Sequence, residues 1–137
     1  MTLHNKIIIS AFKSNLDLAT NLERHTALLS ALHYVNQGQA IATTVQGRYK
    51  GTQELSAVVS TKNLSYKEVV DLAFTYDQES FLYVGPYGET DLIYTHDPYN
   101  PIRLGTMELT DEKTARLQDG CTKIDGKFYC TVRDVTN

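Results

Sequence analysis

Hydrophobic and polar positions in the first part of the chain follow a strand period and then a helix period. The run Lys6–Phe12 is apolar and rich in β-branched residues, which predicts a buried strand. We expect a helix to follow it down to about Tyr34, because Thr20 and Glu23 have capping-box spacing. The apolar positions that recur at helical intervals are Leu18, Leu22, Leu29 and Leu32.

The next segments complete a mixed pattern of helices and strands. A second capping box, at Ser65 and Glu68, opens a helix that continues to Phe74. The strands expected around it are Gln39–Tyr49, Glu54–Ser60, Ser80–Val84 and Asp91–Thr95. The order β-α-β-β-α-β, with one added strand, predicts an α+β fold, a ferredoxin-like α/β sandwich.

Two helices can cover only one face of such an antiparallel sheet. The other face has no cover left over within a single domain of 137 residues. We therefore expect that face to be buried by self-association.

The C-terminal segment predicts a β-hairpin. Ile102–Leu109 is compatible with a sixth strand, and Asp125-Gly126 is a favoured two-residue turn. Pairing outward from that turn sets Cys121 opposite Cys130 in a non-hydrogen-bonded pair, with α-carbons about 4.5 Å apart. A disulfide is sterically allowed there, but a reducing cytoplasm favours two thiols packed on the sheet.

Composition and charge narrow the class of protein. The length fits one domain, expected to span residues 1–137. A net charge of −3 lacks the basic excess that neutralises phosphates, so no nucleic-acid partner is expected. No apolar run approaches the roughly 20 residues of a membrane span, and the apolar stretch at residues 7–9 is too short for a signal peptide. We expect a cytoplasmic protein with no membrane partner.

Few catalytic signatures are present. The chain has no phosphate-binding glycine loop, no Gly-x-Ser-x-Gly elbow and no dinucleotide fingerprint. Its four histidines and two cysteines are not at zinc-ligand spacing, so no metal site is expected. Two loops with acidic residues remain, at residues 47–54 and 76–79. Each is either a solvated loop or part of a site, and spacing alone identifies no substrate.

The N-terminal part of the chain resembles a known family. The run Ser10-Ala-Phe-Lys-Ser-Asn-Leu16 is followed by Asn21 and by Arg24-His25. This stretch is similar to the N-terminal stretch of the phage S-adenosylmethionine-degrading enzymes, which have a Ser-Ala-Phe-basic-Ser-Asn-Leu run with an Asn and an Arg-His pair downstream.

Three later segments resemble the same family. They are Gly47-Arg-Tyr-Lys50 with Glu54, Asp77-Gln-Glu79 before a Leu-Tyr-Val strand, and Gly120-Cys121 with Ile124-Asp125. The matches follow one another in order over about residues 8 to 129. The resemblance therefore covers both of the loops that spacing alone left without a role.

The resemblance implies cleavage of S-adenosylmethionine to 5′-methylthioadenosine and L-homoserine lactone. The reaction is that of a lyase, in which the substrate's own carboxylate attacks its γ-carbon, and no cofactor or metal is implied. The family also implies a homotrimer of α/β sandwiches, similar to PII signalling proteins, with active sites between subunits. In an infected bacterial cell, loss of the methyl donor would counter restriction that depends on it.

The charges of this substrate imply roles for the matching residues. Glu54 and Tyr49 are the expected catalytic residues: Glu54, with Glu79, holds the ammonium, and the Tyr49 hydroxyl or ring positions the methionine portion. Arg48 has no catalytic role, because an arginine clamped on the attacking carboxylate would lower its nucleophilicity. The expected substrate-binding residues are Gln78, Glu79, Ser10, Phe12 and Ser14.

Three other interpretations stay open at the level of sequence. In the first, Glu54 or Glu79 acts as general base on water, and the product is L-homoserine. In the second, the chain is a PII-like module that binds an adenosyl ligand without chemistry. In the third, it is an interaction protein that inhibits a host enzyme.

Overall fold

The computed structural model of the protein describes residues 3–35, 43–49, 52–61, 64–117 and 121–133. Over these residues the elements are, in chain order, β1 (Lys6–Ile9), α1 (Leu18–Val35), β2 (Thr43–Tyr49), β3 (Thr52–Ser60), α2 (Tyr66–Thr75), β4 (Ser80–Val84), β5 (Glu89–Tyr94), β6 (Ile102–Thr110), α3 (Glu112–Leu117), β7 (Cys121–Ile124) and β8 (Lys127–Val132). The predicted α+β class is confirmed, while residues 39–42 of the predicted second strand lie outside the described residues. In the described part of the chain, no helix is long and apolar enough to cross a membrane.

The strands form one antiparallel sheet that curls until its edges meet. Its order is β1-β3-β2-β7-β8-β6-β5-β4, and β4 pairs back with β1. β1 lies between β3 and β4, with Ile8 opposite both Val58 and Leu82. The turn of the sheet from β2 to β7 depends on a short pairing through Gln46 and Gly47. The expectation that one face of the sheet lacks a cover within the chain is therefore wrong, because β5–β8 continue the sheet around to β2 and enclose that face.

The outer face of β1, β3 and β4 packs against α1 and α2. Ile7 and Ile9 of β1 are fully buried there, between the sheet and the helices. Each fully buried side chain of this size contributes about 1.5–3 kcal/mol of transfer free energy. The other strand and helix residues of this cluster include Ala57, Val59, Phe81, Leu28, Leu32, Val69 and Ala73.

The inner face carries a second apolar cluster. Ile8 points away from Ile7 and Ile9, because successive side chains of a strand alternate between faces. Its cluster partners are Leu3, Val58, Val84, Met107 and Tyr129. These side chains occupy the face that was expected to be uncovered. The closed sheet thus fills its own interior, and that face gives no reason for self-association.

The local start signal of α2 is confirmed. Ser65 Oγ accepts a hydrogen bond from Glu68 N at 3.2 Å, and Glu68 Oε1 accepts one from Ser65 N at 3.2 Å, which forms the capping box. The prediction for α1 is wrong at its start, because Asp17 Oδ1 accepts from Thr20 N at 2.7 Å. Asp17 therefore precedes the helix as its cap, and Thr20 lies inside the first turn.

The predicted apolar stripe of α1 is confirmed only in the second half of the helix, where Leu32 is buried and Leu29 packs against the core. Leu18 is 66% exposed and Leu22 is 41% exposed, although both belong to the predicted apolar stripe. Asn21 and His25 are buried instead, and each lies two turns before a buried leucine, Leu28 and Leu32 respectively. The first half of the helix thus turns a polar face inward, toward the loop that follows β1.

The C-terminal strands pair with the register that the Asp125-Gly126 turn predicts. Cys121 lies opposite Cys130, and the two form a disulfide with their α-carbons 4.1 Å apart. The expectation of two thiols is wrong, because it was drawn from the compartment, whereas direct opposition brings the two sulfurs within bonding reach. Ala115 of α3, a helix that the sequence pattern did not predict, packs on this pair.

Candidate active site

Several of the predicted site residues lie at the end of the sheet where β1 stops. The predicted strand continues to Phe12, but β1 ends at Ile9. Ser10 Oγ then donates to Leu55 O at 2.8 Å and accepts from Phe12 N at 3.0 Å. The hydroxyl of Ser10 thus takes the place of a backbone partner, and it turns the chain away from β3.

Phe12 and Gln78 meet at this end of the sheet. Gln78 Nε2 donates to Phe12 O at 3.2 Å, across 66 positions of sequence. The Phe12 ring is 9% exposed and meets the His25 ring edge-on, with centroids 6.2 Å apart. Burial lowers the pKa of His25 below its usual value. The structure therefore brings Ser10, Phe12 and Gln78 together on one chain.

The segment before β4 is held by the C-terminal cap of α2. Gln78 N donates to Ala73 O at 2.8 Å and Asp77 N donates to Phe74 O at 3.0 Å, the hydrogen-bond pattern of a Schellman motif. Asp77 has a φ of +53°, in a position that glycine usually occupies. The motif sets the direction in which the next two residues leave the helix.

Glu79 follows this cap and is exposed. Its backbone carbonyl accepts from Thr95 Oγ1 at 2.8 Å, and the carbonyl of Gln78 accepts from the same hydroxyl at 2.5 Å. The backbone of the segment is therefore fixed to the end of β5. This leaves the Glu79 side chain directed into solvent at the edge of the sheet.

Glu54 lies on β3, on the other side of β1 from Gln78. Val58 and Leu82 both lie opposite Ile8. Glu54 is four residues before Val58, and Gln78 is four residues before Leu82, so both lie toward the end of the sheet where β1 stops. At the Val58–Ile8–Leu82 row the backbones of β3 and β4 are about 10 Å apart across β1, because neighbouring strands are about 4.8 Å apart. Glu54 shares its face of β3 with Val58, the inner face of the sheet.

Burial raises the pKa of the Glu54 carboxyl above its usual value. Its side chain is half-buried, and none of the described lysine or arginine side chains forms an ion pair with it. A carboxylate in this environment is poorly solvated, so it gains from a cationic ligand.

The remaining predicted residues lie nearby in different settings. Tyr49 is the last residue of β2 and pairs through its backbone with Thr52 of β3, two residues from Glu54. Ser14 is exposed in the loop between β1 and α1. The structure thus places Tyr49 at the tip of the β2–β3 hairpin, beyond Glu54, and Ser14 beyond Phe12.

Two residues of α1 hold the edge together, and no role was predicted for them. Asn21 Oδ1 accepts from Lys13 N at 2.9 Å, and Asn21 Nδ2 donates to Lys13 O at 3.0 Å. Arg24 Nε donates to Ala11 O at 2.7 Å. The sequence contains a signal for these residues, because the polar positions 21, 24 and 25 share one helical face. The regularly spaced leucines indicate a different buried face.

An ion pair links the two loops at the edge. Lys13 Nζ lies 2.5 Å from Asp77 Oδ2, and this contact lowers the pKa of the Asp77 carboxyl. Asp77 is 83% exposed, so water and salt screen the pair. Its contribution is to the orientation of the loops more than to stability.

The other candidate groups for a site lie elsewhere or are not assembled. Across the described ranges, no three histidine, cysteine or carboxylate side chains are grouped as a metal site. A cavity of about 380 Å³ lies at the opposite end of β1, lined by His4, Asn5, Lys6, Ser60 and Thr61. It contains none of the predicted site residues.

The end of the sheet where β1 stops therefore carries two carboxylates and an amide. Glu54 on β3 is poorly solvated, Glu79 before β4 is exposed, and the amide of Gln78 donates to Phe12 O beyond the end of β1. Carboxylates together with an amide suit an organic cation that also forms hydrogen bonds.

Comparison with known families agrees with this chemistry. The model of the S-Adenosylmethionine lyase family matches residues 7–132, from the second residue of β1 to the end of β8. No curated protein matches the chain.

Proposed function

Because the chain belongs to the S-adenosylmethionine lyase family, we propose that it cleaves S-adenosylmethionine to 5′-methylthioadenosine and L-homoserine lactone. The observation that carries the proposal is the family match over residues 7–132. It is supported by the poorly solvated carboxylate of Glu54 at the edge of the sheet, where a cationic substrate would bind.

The proposed reaction takes place within one substrate molecule. A carboxylate oxygen forms a bond to Cγ, the Cγ–S bond breaks, and its electron pair goes to the sulfur. The sulfur leaves as the neutral thioether of methylthioadenosine, and the α-ammonium stays on the lactone. No water or proton is consumed, so the protein's main task is to hold the chain folded, which can supply several kcal/mol.

Glu54 and Glu79 are proposed to bind the positive charges of the substrate. Glu54 is the catalytic member, because its carboxylate loses little hydration when it meets the ammonium. This arrangement holds the substrate by its cationic groups and leaves its own carboxylate free to attack. Glu79, which is exposed, adds charge at the entrance.

The remaining site residues are proposed to position the substrate. Tyr49 is assigned to the methionine portion, through its hydroxyl or the attraction of an aromatic face for a sulfonium. Gln78 hydrogen-bonds the substrate beside Phe12, where its amide already lies. Ser10, Phe12 and Ser14 line the nucleoside pocket along the loop that follows β1.

Substitution of Glu54 tests this assignment. Glu54→Gln keeps the shape of the side chain and removes its charge, so turnover is expected to fall by at least about 10²-fold while the fold survives. Glu108→Gln is the matched control, because Glu108 is also half-buried on a strand but lies on β6. Turnover near that of the wild type in Glu54→Gln would remove Glu54 from the mechanism.

The raised pKa of Glu54 also suits a general base, so hydrolysis to L-homoserine is the second candidate. Reaction in H₂¹⁸O separates the two. Direct attack of water on Cγ places ¹⁸O in the γ-hydroxyl of homoserine, whereas the lyase releases unlabelled lactone that later takes up ¹⁸O only in its carboxyl group. A protein that binds S-adenosylmethionine and leaves it intact would instead be a binding module.

We also propose a homotrimer with active sites between subunits, as the resemblance implies. The pairing order β4-β1-β3-β2, with α1 and α2 on one face, supports a ferredoxin-like arrangement of this half, similar to PII proteins. The exposed position of Glu79 and Ser14 is compatible with a neighbouring subunit that completes the site. Sedimentation equilibrium measures the assembly, and a monomer with full activity would exclude sites between subunits.

The proposed biological role is phage counter-defence in the cytoplasm of an infected bacterium. Destruction of the methyl donor would block restriction that depends on S-adenosylmethionine. Expression of the wild type in a restricting host is expected to raise the plating of unmodified phage, and Glu54→Gln is expected to leave it low. Equal plating with both proteins would refute this role while leaving the enzymology intact.

A further inference from the structure

Arg24 of α1 lies between the two segments that carry the proposed substrate-binding residues. Residues 10–14 follow β1, and residues 78–79 precede β4. We infer that Arg24 is a positioning residue, which sets the distance between these two segments and thereby the affinity for S-adenosylmethionine. The inference rests on the proposed function for the identity of the substrate.

The guanidinium of Arg24 bonds to one backbone carbonyl on each side. Its Nε donates to Ala11 O at 2.7 Å, and its Nη2 donates to Tyr76 O. The Arg24 Cζ also lies 5.9 Å from the centroid of the Tyr76 ring. A guanidinium presents its donors in a rigid planar fork. One side chain therefore fixes two carbonyls, from two separate segments, relative to each other.

Two other contacts between these segments are weaker than the bonds of Arg24. The hydrogen bond from Gln78 to Phe12 joins two neutral groups at 3.2 Å. The Lys13–Asp77 ion pair is exposed to water on its carboxylate side. The bonds of Arg24 are charge-assisted, which makes them roughly twice as strong as neutral ones, and its side chain is half-buried.

The backbone of α1 gives this contact a rigid base. Asn21, less than one turn before Arg24, is buried and holds both the N–H and the carbonyl of Lys13. Because both acceptors of Arg24 are backbone carbonyls, its effect on the substrate passes through the two segments. This also keeps the two bonded donors directed at the protein and away from the attacking carboxylate.

Steady-state kinetics of four proteins test the inference: the wild type, Arg24→Gln, Arg24→Lys and Arg103→Gln. Arg24→Gln is expected to raise KM for S-adenosylmethionine about tenfold, equivalent to ~1.4 kcal/mol, with kcat within about threefold. Arg24→Lys keeps the charge but loses the fork, so KM should rise about threefold. Arg103→Gln is the matched control. It also removes an arginine hydrogen bond, from Arg103 Nε on β6 to Asp91 Oδ1 on β5, which lies outside both segments.

The split between KM and kcat distinguishes positioning from a general structural role. A loss of folded protein lowers the apparent kcat and leaves KM unchanged, so an unchanged KM in both Arg24 variants overturns the inference. If Arg24→Gln does not fold, Arg24→Lys still decides the question.

Amide hydrogen exchange on the same samples separates this inference from the proposed function. Faster exchange is expected in both residues 10–16 and 76–79 of Arg24→Gln, and in neither segment of Arg103→Gln. A wild type that does not cleave S-adenosylmethionine refutes the proposed function. Exchange rates in Arg24→Gln equal to those of the wild type overturn the role of Arg24 whether or not cleavage occurs.

Discussion

At Glu54, burial opposes the charge that the proposed chemistry needs. The folded-state pKa is raised above the usual 4.5, so the folded chain binds more protons than the unfolded one between these two values. The stability linked to this proton is fully present below pH 4.5 and is lost as pH rises through the folded-state pKa. At neutral pH the ionised carboxylate therefore destabilises the fold.

Glu54→Gln is accordingly expected to stabilise the protein at pH 7 by about 0.5–1 kcal/mol while it lowers turnover. Urea denaturation at pH 7 measures the free energy of unfolding. Glu79→Gln serves as the control, because Glu79 is exposed and its substitution should stay within about 0.5 kcal/mol. A lower stability of Glu54→Gln than of the wild type would contradict the unfavourable burial of this charge.

His25 predicts a pH dependence of stability that is opposite in sign to that of Glu54. Burial holds its folded-state pKa below the 6.5 of an unfolded histidine. The unfolded chain binds the additional proton, so the free energy of unfolding falls as pH decreases from about 6.5 toward the folded-state pKa. Chemical denaturation between pH 5 and 8 should show this slope in the wild type.

The other three histidines provide the control for this slope. They are exposed, and they are His4, His33 and His96. His25→Gln is expected to flatten the dependence near pH 6, and His96→Gln is expected to leave it unchanged. A slope that survives in His25→Gln would assign it to another group.

At the scale of elements, sequence predicts best where the signal is local. The capping box at Ser65 and the Asp125-Gly126 turn each involve neighbouring residues, and both α2 and the β7–β8 pairing follow them. The face of α1 is decided by tertiary contact. Its leucines continue the helical period at Leu18 and Leu22, but the loop after β1 needs the polar partner Asn21.

The polar face that the first half of α1 turns inward makes Asn21 more important to stability than Leu18, three residues before it. Asn21→Ala leaves the half-buried N–H and carbonyl of Lys13 without their side-chain partner, and it should lower the free energy of unfolding by about 2–3 kcal/mol. Leu18→Ala on the same helix should change it by less than about 0.5 kcal/mol, because Leu18 is 66% exposed. Urea denaturation of both variants measures the difference, and a larger loss in Leu18→Ala would contradict the observed face.

At the scale of the whole molecule, the closed sheet and the candidate site both depend on contacts that are distant in sequence. Ser10 meets Leu55 across 45 positions, and Phe12 meets Gln78 across 66. The two-residue period of a strand determines which of its residues share a face, but it does not determine which other strand pairs with that strand. The resemblance selected residues from three separate segments, and only the fold brings the end of β1 between β3 and β4.

Closure of the sheet also gives the Cys121–Cys130 disulfide a role beyond its own hairpin. β7 pairs with β2 through two residue pairs, Gln46–Lys123 and Gly47–Thr122, so this junction has few bonds of its own. The disulfide fixes β7 to β8, which pairs with β6 over five residues. For a loop of this length, loop-closure entropy predicts a loss of about 2–3 kcal/mol on reduction. Denaturation of the wild type with and without a thiol reductant measures this loss, and amide exchange should rise first in β7 and β2.

The double variant Cys121→Ala/Cys130→Ala controls for other effects of the reductant, because its stability should not respond to it. Reduction should leave turnover largely intact, since the edge where β1 ends is held by Ser10, Asn21 and Arg24 and not by the β7–β8 pair. Thiol titration establishes that the bond is open. A wild type with two free thiols and unchanged stability would show that the closed sheet holds without the bond, and that the pairing of β7 with β2 is stronger than its two residue pairs indicate.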